Sequence, residues 1–374
     1  MIIIIKIIYR KMQKIKKRVA IIGTNGIPAK YGGFETLAEN LVTELNEEFN
    51  FTVYCSSIYK KDERKKWYKK ARLIYIPLKA NGVQSLFYDS LCFIHSLFYA
   101  KTILLLGPTP SGIITFLNIF FRRNLIVNHG GLNEWEREKY SKSEKKWAKI
   151  NHFIGSKCAS VNITDNSILQ KSLEKTFNSK SVIIRYGGDH NLDVEVDKEI
   201  KEEYSFLKNK YFLCVARAQV DNNLHLLIDA FKDLDTHPLV IVSNWNISNY
   251  GKKLLEENKN HPNLILLDAI YDINILNFVR KNSYLYIHSH SYCGTAPSLV
   301  EAMNLNIPII CYDVPTNRES TQNKSIYFSS KDELKECVIN ITEESLEKCK
   351  KELFDIAKSE YSWKEVSKQY SKIF

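Results

Sequence analysis

At 374 residues, 44% of them apolar, the chain is too long for one ordinary core and suits two domains of roughly 180 residues each. Its 53 Lys and Arg against 42 Asp and Glu give a formal charge of +11, which calls for anionic surroundings such as nucleic acid, an acidic leaflet or phosphate-bearing substrates. Nucleic acid is disfavoured, because the basic residues are dispersed apart from "RKMQKIKKR" and "KKDERKKWYKK" and carry no zinc-finger or RNA-binding signature. The eight cysteines never form C-x-x-C and mostly fall in apolar runs, which reads as reduced core residues of a cytosolic protein.

The opening "MIIIIKIIYRK" has its basic residues on the wrong side for a signal peptide and too few apolar residues to span a bilayer; Met12 is an alternative start. The first strand, "RVAIIG", runs into "TNGIPAKYGGFETLAENLV", which holds Gly23, Gly26, Gly32 and Gly33 ahead of Leu37, Leu41, Val42 and Leu45 at helical spacing. A glycine-rich strand-to-helix turn at the carboxyl edge of a parallel sheet offers backbone N–H groups to an anion, and phosphate is the first expectation. The dinucleotide fingerprint is not met. Gly23 and Gly26 are three apart, and the next strand, "FTVYCSS", ends without the carboxylate that holds a ribose.

Strand-like runs continue through "RLIYIPL", "TILLLG", "LIVNHG" and "SVNIT", with helical patterns between most of them, as in a doubly wound sheet. Thr102 to Phe121 is uncharged and long enough to cross a membrane. Gly107, Pro108, Pro110 and Gly112 interrupt it, so it reads as a buried strand, a loop and a buried helix. After "SVIIRYGGD" and a polar passage, a second alternating series opens with "YFLCVARA", "LVIVSN", "NLILLD", "YLYIHSHS" and "IPIICYD". The expected organisation is therefore α/β: residues 1–190 and 205–374 as two doubly wound, Rossmann-like domains facing each other across a cleft, the second ending in terminal helices.

In the second domain Arg217 leaves the first strand where it can meet a phosphate oxygen. Gly294, Thr295 and Ser298 line the amino-terminal turn of the helix that carries Glu301, and they offer N–H groups and hydroxyls to a diphosphate. Glu301, one turn in, repels phosphate and suits a pair of ribose hydroxyls; an exposed acidic residue favoured by the helix dipole is the plain alternative. His129 ends a strand in "LIVNHGGLNEWEREKY" and is a candidate donor to a sugar hydroxyl, with Trp135 a stacking surface or simple packing. His288 and His290 share a strand face but lack a third ligand at familiar spacing, so no metal is expected there.

The motifs "GTNGIPAKYGGFET", "NEWEREKY", "IRYGGD", "VARAQVDNN", "HSYCGTAPSLVEAM" and "YSWKEVSKQY" together resemble glycosyltransferase family 4, of the GT-B fold, and within it the bacterial capsule-type rhamnosyltransferases. The likeness runs from about Val19 to the end. It implies a retaining, metal-independent transfer of a sugar from a nucleotide-sugar donor to a saccharide acceptor, lipid-linked, in surface polysaccharide synthesis. Gly32 and Gly33 would approach the diphosphate, Arg217 neutralise it, Glu301 hold the ribose and His129 reach the donor sugar. The pattern departs from the family at three places. Cys293 stands where the first of two glutamates is usual, Asn222 stands where a donor-binding lysine is common, and Gly130 and Gly131 replace Asp-Gly. No D-x-D triplet is present, in keeping with charge on the leaving diphosphate being met by helix N-termini and Arg217 without a metal or other cofactor. The positive charge and the apolar segment "SLFYDSLCFIHSLFYA" suggest a cytoplasmic protein held peripherally on the inner face of the plasma membrane. An epimerase of the same fold and a non-catalytic sugar-nucleotide-binding subunit are the rival readings.

Overall fold

Val19 to Ile22 are four consecutive residues with no exposed side chain, the mark of a strand covered on both faces. In the computed structural model, which describes residues 16–30, 32–82, 84–109, 112–130, 134–136, 141–190, 192, 195 and 197–374, they belong to β1 (Lys17–Ile22) at the middle of an eight-stranded sheet. Its other strands are β2 (Phe49–Cys55), β3 (Trp67–Tyr68), β4 (Ala71–Tyr75), β5 (Thr102–Leu106), β6 (Asn124–Asn128), β7 (Val161–Thr164) and β8 (Val182–Ile183). They lie in the order β3-β4-β2-β1-β5-β6-β7-β8, parallel except for the β3–β4 pair. Alternation sorts the side chains. Val19, Ile21, Leu104 and Leu106 join a cluster with the helix Gly33–Leu45, while Ala20, Ile22, Ile103 and Leu105 join one with the helix Gln84–Tyr99.

The second sheet contains β9 (Phe212–Val215), β10 (Leu239–Ser243), β11 (Leu264–Asp268), β12 (Leu285–His288), β13 (Ile309–Tyr312) and β14 (Ile326–Phe328). All six are parallel, in the order β11-β10-β9-β12-β13-β14, the 3-2-1-4-5-6 order of a doubly wound domain. Strand order reverses between β1 and β5 in the first sheet and between β9 and β12 in the second. Crevices open at those two places.

Three features differ from the sequence reading. β3 and β14 are two and three residues long, too short to leave a periodic signal. The expected buried helix before Phe121 is instead a 3-10 turn, Gly112–Leu117, and one helical turn, Asn118–Phe121, with Phe116, Ile119 and Phe120 exposed. No helix among the described residues is long and apolar enough to cross a membrane. The closing helix Trp363–Ile373, assigned from sequence to the second domain, packs on the first. Trp363, Val366, Tyr370 and Phe374 are buried in the cluster of β1 and the helix Gly33–Leu45, and Asn128 Nδ2 donates to the Tyr370 hydroxyl at 2.8 Å. Burial of those four apolar side chains decides its place, since such a stripe gains nothing in solvent.

Candidate functional site

The loop after β1 is shaped from beneath. Gly23 and Gly26 have φ of +82° and +117°, and a Cβ on either would strike Leu106 or Cys55 of the flanking strands. These two glycines serve the chain's own packing. Glu35, only 4% exposed, accepts from Asn25 N at 2.6 Å and Asn25 Nδ2 at 3.1 Å, and Asn25 Oδ1 accepts from Ser56 Oγ at 3.0 Å, tying the loop to β2. Gly32 then caps the helix Gly33–Leu45, and a Cβ on Gly33 would lie 3.1 Å from Pro297 Cγ. What presses on this backbone is the other domain.

Between the two sets of strand ends lies a cleft of about 600 Å³, lined by Gly32, Gly33 and Thr36 from the first domain and by Arg217, Ser243, Asn244, His290, Ser298 and Glu301 from the second. Arg217 stands just beyond β9, exposed, and its guanidinium makes no ion pair among the described residues. A cation so placed, lining the same cleft as the N-terminus of the helix Gly33–Leu45, is equipped to hold an anion. Asn222, read from sequence as a donor contact, is 5% exposed and does not line the cleft; its Nδ2 donates to the Arg217 carbonyl at 2.8 Å and so fixes the backbone that presents the arginine.

Glu301 projects from the helix Pro297–Asn304 and has a partner that sequence did not reveal. Its Oε2 lies 2.8 Å from Arg280 Nη2, and the two side chains are 12% and 3% exposed. Arg280 Nη1 in turn donates to Asn277 Oδ1 at 2.9 Å, and His190 Nε2 lies 3.7 Å from Glu301 Oε1. Glu301 is thus the counter-ion of a buried arginine and also a wall of the cleft.

Gly294 and Thr295, expected to cradle a diphosphate, face a different carboxylate. Thr295 N donates to Asp165 Oδ2 at 2.9 Å, Thr295 Oγ1 donates to the Asp165 carbonyl at 3.1 Å, and a Cβ on Gly294 would lie 2.5 Å from Asp165 Oδ2. An aspartate of the first domain occupies the turn that the sequence offered to phosphate. Loss of hydration in this seam raises its carboxyl to about 7, against the lowering effect of the Thr295 N–H. A raised folded value means that its contribution is most favourable below the usual carboxylate range and is lost as pH rises toward 7. Asp165→Asn keeps an acceptor for Thr295 N and removes the titration. We expect it to match the parent near pH 4 and to exceed it in urea midpoint at pH 8; parallel midpoints across that range would contradict this origin of the shift.

His129 is the largest correction. It is 2% exposed, its Nε2 lies 2.9 Å from Asn162 Oδ1 and its Nδ1 3.1 Å from His152 Nδ1, so its ring points into the first domain and does not line the cleft. Trp135, 8% exposed, packs on His152 and Phe177 with ring centroids 5.0 and 5.1 Å away. Gly131 lies outside the described residues.

Comparison with known proteins agrees with this architecture. Residues 16–189 match the family model "Domain of unknown function (DUF1972)" and residues 195–352 match "Glycosyl transferases group 1". A curated relative, the O-antigen chain mannosyltransferase RfbU of Salmonella typhimurium, is 26% identical over 182 residues, 46% of this chain and 47% of that protein. The chain thus matches about half the length of that relative. Among solved structures, sucrose-phosphate synthase from Thermosynechococcus elongatus superposes with a TM-score of 0.80 at 14% identity, covering 96% of this chain and 98% of that one. Anabaena HepE in complex with UDP-glucose gives 0.73 at 13% identity, covering 95% and 98%. The chain has the GT-B fold.

Proposed function

We propose that this chain is a retaining glycosyltransferase that moves a sugar from a nucleotide-sugar donor to a lipid-linked saccharide acceptor during surface polysaccharide synthesis, with rhamnose as the transferred sugar. One observation carries the reading: Arg217, exposed and without an ion-pair partner among the described residues, lines with Ser298 the second-domain side of a cleft whose first-domain side carries Gly32 and Gly33, between the carboxyl strand ends of two doubly wound domains. The "Glycosyl transferases group 1" match over the second domain and the mannosyltransferase relative support it.

In the reaction proposed, an acceptor hydroxyl attacks the anomeric carbon, the bond from that carbon to the diphosphate oxygen breaks, and the configuration is kept. Charge grows on the departing diphosphate. Arg217, the Ser298 N–H and the N-terminus of the helix Gly33–Leu45 line the cleft as fixed donors for it, which is what a metal-independent enzyme requires. Closure of the two domains keeps water from the donor. The test is thermal stabilisation by a panel of nucleotide sugars in excess chelator, followed by transfer assays with the best ligand. A ligand at 100 times its dissociation constant stabilises by about 2.7 kcal/mol. No stabilisation by any donor, or turnover that appears only after Mg²⁺ or Mn²⁺ is restored, would count against the proposal. Isomerised donor in the absence of acceptor would favour an epimerase.

The membrane part of the reading rests on one surface. Phe87, Leu91, Ile94 and Phe98 are exposed on one side of the helix Gln84–Tyr99, and Phe98 meets Phe121 at 5.3 Å, joining that stripe to the exposed Phe116, Ile119 and Phe120. Residues 84–123 contain a single acidic side chain, the buried Asp89, against Lys101, Arg122 and Arg123. An apolar patch rimmed by cations matches an anionic leaflet, where each cation adds about 1 kcal/mol. Co-sedimentation with phosphatidylglycerol vesicles should fall with salt and be abolished by Phe98→Asp combined with Phe120→Asp. Unchanged binding by that double variant would remove this surface from the account.

A further inference from the structure

Cys293 brings a thiol to His288 and His290, which have no third partner at metal-ligand spacing in the sequence. The two histidines project from the same face at the end of β12, with ring centroids 4.4 Å apart. One ring nitrogen of each and the Cys293 sulfur lie within 4.8 Å of one another. His288 is 1% exposed, and neither of its ring nitrogens has a hydrogen-bond partner among the described residues. A buried imidazole with both nitrogens unsatisfied calls for an explanation in a native fold. A metal ion that takes one of those nitrogens as a ligand provides it.

We propose that His288, His290 and Cys293 form a binding site for a zinc-class divalent ion on the wall of the cleft. The donor set selects the ion: two imidazoles and a thiolate suit zinc and its borderline-soft neighbours, whereas magnesium and calcium require oxygen ligands. Zinc bonds of about 2.0–2.1 Å to nitrogen and 2.3 Å to sulfur place tetrahedral ligands roughly 3.3–3.6 Å apart. The 4.8 Å limit on the separations here is therefore brought within range by a side-chain rotation of Cys293, which lies in the loop between β12 and the helix Pro297–Asn304. On binding, the thiol gives up its proton to solvent. The Cys293 sulfur now points to Asn317 Oδ1 at 3.6 Å, and Asn317 Nδ2 donates to the His290 carbonyl at 3.0 Å, so one buried side chain orients the thiol and holds the backbone that carries His290. Three protein ligands leave a fourth position, and because His290 lines the cleft that position is reached from it. Sugar transfer as proposed above does not run through this ion, and its binding is measured without any donor or acceptor.

The test uses the full chain stripped of metal. Zinc chloride titrated by calorimetry should be taken up at one equivalent. Cobalt(II) at the same site should give a thiolate-to-cobalt charge-transfer band together with the visible absorption of a tetrahedral complex. Cys293→Ser, in a loop and half-buried, should remove the charge-transfer band and weaken zinc by at least about tenfold, and His290→Asn should weaken zinc while keeping the band. No uptake of either ion, a band that survives Cys293→Ser, or unchanged zinc affinity in both variants would each overturn the proposal. The first of these outcomes leaves the glycosyltransferase reading untouched, because that reading is tested in chelator.

Discussion

Arg217→Ala should bind donor with little loss and turn it over about 10²-fold more slowly or worse. The guanidinium is exposed and has no ion-pair partner among the described residues, so its removal leaves no buried charge behind and the fold should be unaffected. Its proposed partner is the additional charge that grows as the diphosphate departs, and a fixed donor to such charge is worth about 3–4 kcal/mol. An interaction made mainly in the transition state lowers turnover rather than ground-state binding. Single-turnover rates at saturating donor, with donor affinity from calorimetry, decide the matter. A normal rate at saturation would show that Arg217 only helps to collect the donor.

Glu301→Ala carries the second large effect, and the structure changes what it should be. From sequence, loss of a ribose contact would simply weaken donor binding. With Arg280 3% exposed and 2.8 Å from Glu301 Oε2, truncation instead strands a buried cation. Breaking such a pair costs about 3–5 kcal/mol. At about 2–4 °C per kcal/mol for a domain of this size, the melting temperature should drop by roughly 6–20 °C. Replacing the pair by Glu301→Leu with Arg280→Met should recover most of it, since an apolar pair of similar volume tolerates the same burial. A single variant that melts with the parent would mean that solvent reaches Arg280. Any ribose role for Glu301 is therefore better read from Glu301→Gln, which keeps an oxygen toward Arg280.

The fold was readable because parallel strands buried on both faces leave unbroken apolar runs, and the eleven strand-like runs quoted from sequence, from "RVAIIG" to "IPIICYD", coincide with strands in a parallel sheet. Arg217, Ser298 and Glu301 were readable for a related reason: each lies just past such a run or in the first turns of the helix that follows it, at the edge where the two domains meet. Pairings between distant segments were not readable. Nothing in "NFVRKNS" marks Arg280 as buried, since its helix is amphipathic and a basic residue near its end is ordinarily a solvated one. Asp165 follows an ordinary strand, and only the arrival of Thr295, 130 residues later in the chain, makes it an interdomain contact. His129 was misread because a strand end in an α/β domain usually opens on the crevice, whereas here Asn162 and His152 turn the ring inward. The nearness of the Cys293 thiol to His288 and His290 was hidden by a loop, because spacing along a strand says nothing of where a following loop folds back.

The return of the helix Trp363–Ile373 to the first domain makes the second domain a guest in its host. The chain leaves the host after β8 and re-enters it at Trp363, and the two passages run side by side: Gly188 N donates to the Tyr361 carbonyl at 2.8 Å and Trp363 N to Asp189 Oδ1 at 2.7 Å. At the other end of that helix Lys17 Nζ reaches the Phe374 carbonyl at 3.4 Å, so the host closes around both ends of its described chain. If the guest melts first, the host's last helix remains tethered through a disordered loop, whose closure cost grows by only about 0.6 kcal/mol for each doubling of its length. Melting the host, by contrast, removes the surfaces that hold the guest's entrance and exit together. Thermal damage should therefore spread from host to guest more readily than from guest to host, although the guest is the part that carries Arg217 and Glu301.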